Sequence, residues 1–180
     1  MRVYFDATTL IALGSVNGLD LLTVVDREIV ILDRIRNEVT TEPARTALRQ
    51  FREETDLGSP MTVDERHVEQ AQTTLGEPER NGDVALIARV LAHDGDEIAV
   101  VSDDQRVRTM ARTLGATVTG TIGIVVRAVS AGRLTAAEAK ALVRRLDSHG
   151  LYLTGELRDR ADELIDDAVA DAAIISGHDE

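Results

Sequence analysis

The stretch "AVVSDDQR", residues 99–106, ends an apolar run on two adjacent acids, Asp103 and Asp104. A short Val- and Ile-rich run with charge at its end reads as a strand buried on both faces, and such strands belong to parallel sheets covered by helices. The residues that follow, "DDQRVRTMARTLG", have helical spacing and stop at Gly115, as helices closed by a left-handed glycine do. The fold then turns on whether this strand–helix unit recurs along the chain.

Upstream, "EIAVV" is preceded by a helix over "DVALIARVLAHDG", whose apolar stripe is Val84, Ile87, Ala88 and Leu91, and by the breaker "GEPERNG" (76–82). Before that come a helix with Val63, Val68, Ala71 and Leu75 on one face, a connector containing Pro60, and a helix opened by Pro43 and running towards Glu54. "EIVIL" (28–32) predicts a second strand, and "DRIRNEV" continues it into a helix with Ile35 and Val39 on one face. "RVYF" predicts the first strand, followed by a helix or helix pair over "ATTLIALGSVNGLDLL", broken by Gly14 and Gly18.

Downstream, "ATVTG" predicts a strand and "IGIVVRAVSAG" a helix closed by Gly132. From "LTAAEAKALVRRL" onward the pattern is purely helical, with Leu157, Ala161, Leu164, Ala168 and Ile175 forming part of a stripe expected to pack on the core. Alternating strand and helix predicts an α/β fold in three α/β/α layers around a parallel sheet. The expected organisation is an α/β domain over 1–132, a helical C-terminal extension over 133–175 packed on it, and a disordered tail at 176–180.

Composition bounds the chemistry. Cysteine is absent, which excludes disulfides and thiolate metal sites. No apolar stretch reaches the ~18 residues of a membrane helix, and Asp6 falls where a signal peptide keeps its apolar run, so no membrane association and a cytoplasmic location are expected. Against 32 Asp and Glu stand 20 Lys and Arg, with Lys140 the sole lysine, for a net charge of −12. Such an acidic, lysine-poor surface suits a salt-rich, halophile cytoplasm, where self-repulsion is screened. It also repels nucleic acid, so any nucleic-acid role needs cations supplied locally.

In an open α/β sheet the ligand crevice lies beyond the carboxyl ends of the strands. Asp6 ends the first strand, Asp103 and Asp104 end "EIAVV", Glu38 lies in the helix after "EIVIL", and Asp83 opens the helix after "RNG". All could line one crevice. Each also has a plainer role: Asp6, Asp83 and Asp104 stand where helices begin and aspartate caps are common, and Glu38 suits a solvated helix surface.

The segments "VYFDATTLIAL", "ILDRIRNEV", "NGDVALIARVLA" and "VVSDDQRVRTMARTLGATVTGTIGIVVRAVSAG" together resemble the PIN domain, the FEN-like, metal-dependent ribonuclease fold that includes VapC-type toxins. The resemblance covers roughly residues 2–165. It matches Asp6 with Thr8 to the first motif, Glu38 to the second, Asp83 to the third, and Asp104 with Ser102 to the fourth, leaving open whether Asp103 or Asp104 is the principal fourth acid. Val107 and Leu32 depart from the family pattern at packing positions.

What the resemblance implies is an endoribonuclease that holds Mg²⁺ or Mn²⁺. Asp6, Asp83 and Asp104 would hold metal directly, and Glu38 or Asp103 would bind a second ion or orient water. Thr8 and Ser102 would support through their hydroxyls, and the products would end in a 3′-hydroxyl and a 5′-phosphate. RNA would be the substrate, with Arg106, Arg108 and Arg112 as phosphate contacts or, equally, as partners of surface acids. A homodimer and, for a toxin, an antitoxin protein would be the partners. Clustered carboxylates repel and raise one another's pKa, and hard, oxygen-preferring cations relieve that.

Rival classes fit less well. A haloacid-dehalogenase-type phosphatase needs a second aspartate where Thr8 stands, and both it and a receiver domain use a lysine that Lys140, in the helical tail, does not supply. "GTIG" (120–123) lacks the Lys of a P-loop. The histidines His67, His93, His149 and His178 share no ligand spacing, and with Tyr4, Phe5, Phe51 and Tyr152 as the only aromatics there is no stacking platform for bases. The remaining alternative is a PIN-like binding scaffold that keeps the acids and has little activity.

Overall fold

Val3, Tyr4 and Phe5 are all buried although successive strand residues point to opposite faces, so β1 (Arg2–Phe5) is covered on both sides. The same holds for β3 (Ile98–Val101), whose four residues are all buried. These two form the centre of a four-stranded, all-parallel sheet in the order β2-β1-β3-β4, with β2 (Glu28–Val30) and β4 (Thr117–Thr119) at the edges. The more polar sequence of β4, "TVT", suits an edge, and its residues are only partly buried or exposed. The computed structural model describes residues 1–93, 95 and 97–176.

Parallel neighbours need long crossovers, and helices supply them. α1 (Ala7–Ser15) and a 3₁₀ turn over Leu19–Val24 join β1 to β2. The hop from β2 over β1 to β3 carries α2 (Asp33–Glu38), α3 (Ala44–Glu54), α4 (Glu65–Leu75) and α5 (Gly82–Leu91). α6 (Gln105–Thr113) joins β3 to β4, and α7 (Thr121–Ser130), α8 (Ala136–Leu146) and α9 (Gly155–Ser176) complete the chain. α1 packs with α3, α7 and α8, and α7 with α9, while α4, α5 and α6 pack together with α2 against α5. These two helix sets on one parallel sheet are the expected α/β/α architecture.

The chain leaves β1 for β2 on one side and lies beside β3 on the other. That is a topological switch point, and a crevice opens there beyond the carboxyl ends of β1 and β3.

Several local expectations change. Gly14 does not break α1, which runs on to Ser15. A Cβ there would sit 2.9 Å from the Ala44 Cα, so the glycine is what lets α1 and α3 pack closely. Gly76, at φ +64°, does close α4 as the breaker suggested. The strand in "EIVIL" ends at Val30, and Ile31 and Leu32 pass buried into α2. Among the described side chains of α9 the buried positions are Ala161, Ile165 and Ala168, Leu157 is 53% exposed, and the side chain of Ile175 lies outside the described residues. The sequence stripe missed Ile165 because in a 3.6-residue period 161, 165 and 168 share the line that faces α7 and α8. Residues 177–180 of the expected tail lie outside the described residues, and Ser176 is the last residue of α9. Among the described residues no helix is long and apolar enough to cross a membrane.

Candidate functional site

The register of β1 on β3 pairs Phe5 with Val101, so the next residues, Asp6 and Ser102, emerge side by side at the switch point. The ladder extends one step beyond the strands: Asp6 N–H donates to the Val101 carbonyl at 2.9 Å, and Ser102 N–H to the Thr119 carbonyl at 3.1 Å. Both side chains are enclosed, Asp6 at 3% exposure and Ser102 at 0%. Asp6 Oδ2 accepts from Ser102 Oγ at 2.7 Å and from Thr8 Oγ1 at 2.8 Å. A buried carboxylate thus has one oxygen held by two hydroxyls, whereas Oδ1 has no hydrogen bond among the described residues. Asp6 stands at the N-cap of α1 but makes no cap bond with its side chain.

Ser102 connects the two strand ends. Its Oγ accepts the Asp104 N–H at 3.1 Å while donating to Asp6. Asp104 is a true cap, with Oδ1 accepting Val107 N–H at 2.9 Å, so the helical reading of this residue is correct as far as that oxygen goes. Asp103 points elsewhere. Its Oδ1 accepts Thr121 N–H at 2.9 Å, and its Oδ2 accepts the Thr121 hydroxyl, which ties the end of β3 to the start of α7.

Asp83 is not the cap of α5, because Asn81 takes that role, its Oδ1 accepting Val84 N–H at 3.0 Å. The Asp83 carboxylate is left to face the crevice and pairs with Arg106 Nη2 at 3.1 Å. Burial holds the Asp83 carboxyl above its ordinary value. The negative charges of Asp6 and Asp104 add to that, and Arg106 opposes it. Asp6, Asp83 and Asp104 are therefore one electrostatic cluster.

Glu38 is turned onto the first turn of α5, where Oε1 accepts Gly82 N–H at 2.5 Å. A side chain at Gly82 would collide with the Glu38 carboxylate. Gly120 is the equivalent close approach on the other side, since a Cβ there would lie 2.6 Å from both Asp103 Oδ1 and Arg108 Nη1. Of the three expected phosphate-binding arginines, Arg106 spends its guanidinium on Asp83 and, at 3.3 Å, on the Leu75 carbonyl. Arg108 Nη1 reaches the Ser102 carbonyl at 3.4 Å, and Arg112 is exposed on α6.

Gly82, Asn81, Gly120 and Thr121 escaped the sequence reading, which took "RNG" as a breaker and "GTIG" as turn glycines. Their signal was adjacency: each abuts a helix start that faces an acid. A cavity of about 760 Å³ lies elsewhere, against α7 with Val3, Ala99, Val101 and Ile124 in its lining. It is mostly apolar and holds none of the acids.

A model of the PIN-domain family matches residues 2–167. The chain belongs to the PIN-domain family. Its fold is thus a nuclease fold, and the match runs from the first strand well into α9. No curated protein and no solved structure matches the chain.

Among the described residues no three Asp, Glu or His side chains are gathered into an arrangement that could hold a metal ion. The donor chemistry still suits a hard divalent cation. The cluster is all oxygen, the Asp83 carboxyl is raised first by burial and then by the charges of Asp6 and Asp104, and the positive group beside it is the side chain of Arg106. Arg106 is 47% exposed at that pairing, so nothing buries it there.

Proposed function

We propose that this PIN domain is a metal-dependent endoribonuclease, possessing Asp6, Asp83 and Asp104 as the residues that would hold Mg²⁺ or Mn²⁺. The observation that carries the reading is the convergence at the switch point: a buried Asp6 clamped through one oxygen by Ser102 and Thr8, beside an Asp83 whose carboxyl is raised by burial and then by the charges of Asp6 and Asp104. A bound divalent ion supplies activation of water and stabilisation of the departing oxygen in phosphodiester hydrolysis.

The chain's own groups do the rest. Ser102 and Thr8 orient the Asp6 carboxylate so that Oδ1 faces the crevice. Asp104, fixed by its cap bond to Val107, keeps its second oxygen for the same side. Glu38, anchored on the Gly82 amide, stands beside Asp83 as the residue that would orient water or hold a second ion. Asp103 supports from behind by fixing the β3 end to α7. Arg106 balances charge in the ion-free state and, once displaced, is placed to meet a substrate phosphate together with Arg108 and Arg112. Water adds to phosphorus, the bridging 3′-oxygen leaves with a proton, and the ends are a 3′-hydroxyl and a 5′-phosphate.

Toxicity, an antitoxin partner and a homodimer belong to the same proposal, as does a cytoplasmic, salt-rich setting suited to the acidic surface. A second reading, a binding scaffold without activity, is favoured by the Asp83–Arg106 pair and by the lack of a ready ligand trio. The test is cleavage of a mixed RNA pool from low to molar KCl by wild type and Asp104→Asn, with Mn²⁺ and with a chelator. Cleavage that requires both the metal and Asp104 supports the nuclease. A folded wild type that cleaves under no condition makes it a scaffold.

A further inference from the structure

In a chain of net charge −12, a groove lined by several arginines and by no acid is unexpected. One exists along α2 and α3. Arg36, Arg45, Arg49 and Arg52 line a groove of about 460 Å³ whose floor is Val39 and Leu48, and no Asp or Glu is in its described lining. Arg45, Arg49 and Arg52 recur at i, i+4 and i+7, so they stand on one face of α3 over about 10 Å of helix. Arg36 is paired with Asp33 at 2.9 Å and Arg45 with Glu42 at 2.7 Å, whereas Arg49 and Arg52 make no ion pair among the described residues.

The groove leads to the acids. Asn37 lines it and also lines the neighbouring cavity of about 580 Å³, whose wall includes Glu38 and Asn81, the residues that flank the start of α5. Asp83 follows two residues after Asn81 in the same helix turn. The two cavities thus share Asn37, and the second, lined by Arg34 and Arg80 as well as by Asp33, Glu38 and Glu79, reaches the start of α5 at Asn81.

We propose that this α2–α3 groove is the track for the phosphate backbone of the RNA strand, leading it away from the acidic crevice. The inference rests on the nuclease reading for the identity of its occupant. It answers how so acidic a protein grips a polyanion: beside the acids Arg106 is engaged by Asp83, and the groove adds cations on a separate face. No aromatic side chain is in the described lining, so the grip is on phosphates and tolerates any base sequence. An acidic protein surface would find the charge as well, but the apolar residues here are a buried floor and not the protruding anchors that protein interfaces use.

The experiment measures binding apart from catalysis. Anisotropy of a labelled, unstructured RNA oligonucleotide is followed in EDTA against KCl for wild type, Arg49→Gln/Arg52→Gln, and Arg133→Gln as an exposed arginine outside the groove. The double variant is expected to bind roughly tenfold more weakly at low salt, with a log–log salt slope shallower by about 1.4, two contacts at about 0.7 each. Arg133→Gln should match wild type. Equal affinity and slope in wild type and the double variant, or no RNA binding by wild type at low salt, overturns the track. A polyglutamate peptide that binds more tightly than RNA and depends on the same two arginines overturns it in favour of a protein partner. Cleavage with Mn²⁺, run in parallel, separates the two readings: arginine-dependent binding without cleavage keeps the track and removes the nuclease, and cleavage with arginine-independent binding does the reverse.

Discussion

The acidic crevice and the arginine groove are both concentrations of like charge, but they are built in opposite ways. In the crevice each acid is held: Asp6 by Ser102 and Thr8, Asp104 by the α6 amide of Val107, Asp83 by Arg106. In the groove Arg49 and Arg52 are exposed and have no acidic partner among the described residues. Buried like charges must be fixed and partly neutralised, because desolvation makes their repulsion costly, whereas exposed ones are screened by water and salt at little cost. Precision of position is therefore found where chemistry would occur, and adaptability where a flexible polyanion would be held.

That contrast is most sharply broken by function. Asp104→Asn should lower RNA cleavage about a hundredfold or more while leaving RNA affinity in EDTA unchanged. Anisotropy and gel assays on the same preparation would show it, and a loss of binding with cleavage intact would mean that the two regions have exchanged roles.

A smaller effect concerns stability. Ser102→Ala removes a fully buried donor to a charged oxygen and should destabilise the fold by about 1.5–3 kcal/mol. Arg49→Ala in the groove should stay within about 0.5 kcal/mol. Denaturant titrations of the two variants give the difference directly, and equal values would deny that the crevice is the rigid region.

Metal linkage comes next. Mn²⁺ at about a hundred times its dissociation constant should stabilise wild type by about 2.7 kcal/mol, and Asp6→Asn should lose most of that shift. Thermal melts would test it, and an identical shift in both proteins would place the ion outside the crevice.

The smallest expected change is in Arg106→Gln. Removing the side chain that occupies Asp83 should tighten Mn²⁺ binding a few-fold by calorimetry, with no change in the melting temperature of the ion-free protein beyond about 2–4 °C. Weaker Mn²⁺ binding would instead make Arg106 a support of the cation site.

The alternation of strand and helix, the order of the acidic motifs and the switch-point crevice were all legible in the residues, because periodicity and helix-start chemistry are local properties. "AVVSDDQR" correctly announced a strand buried on both faces. Local pattern also showed that Asp6, Asp83 and Asp104 each stand at a helix start. It could not say which of them caps: only Asp104 does so with its side chain, Asn81 replaces Asp83 in that role, and Asp6 is claimed by the hydroxyls of Thr8 in α1 and Ser102 just past β3.

Contacts between residues far apart in the chain followed no local rule. Asp103 and Asp104 are neighbours in sequence, yet after β3 one bonds Thr121 at the start of α7 while the charge of the other acts on Asp83 of α5, contacts that exist only with α5 and α7 in place. Gly14 reads as a breaker until α3 arrives against it, and Gly82 as a loop glycine until Glu38 does. Arginines at 36, 45, 49 and 52 are scattered surface charges along the chain and become one groove when α2 lies beside α3. Local sequence sets which backbone conformation each segment prefers, but like and unlike charges meet across tens of residues only through packing, and packing is where this protein's electrostatics were decided.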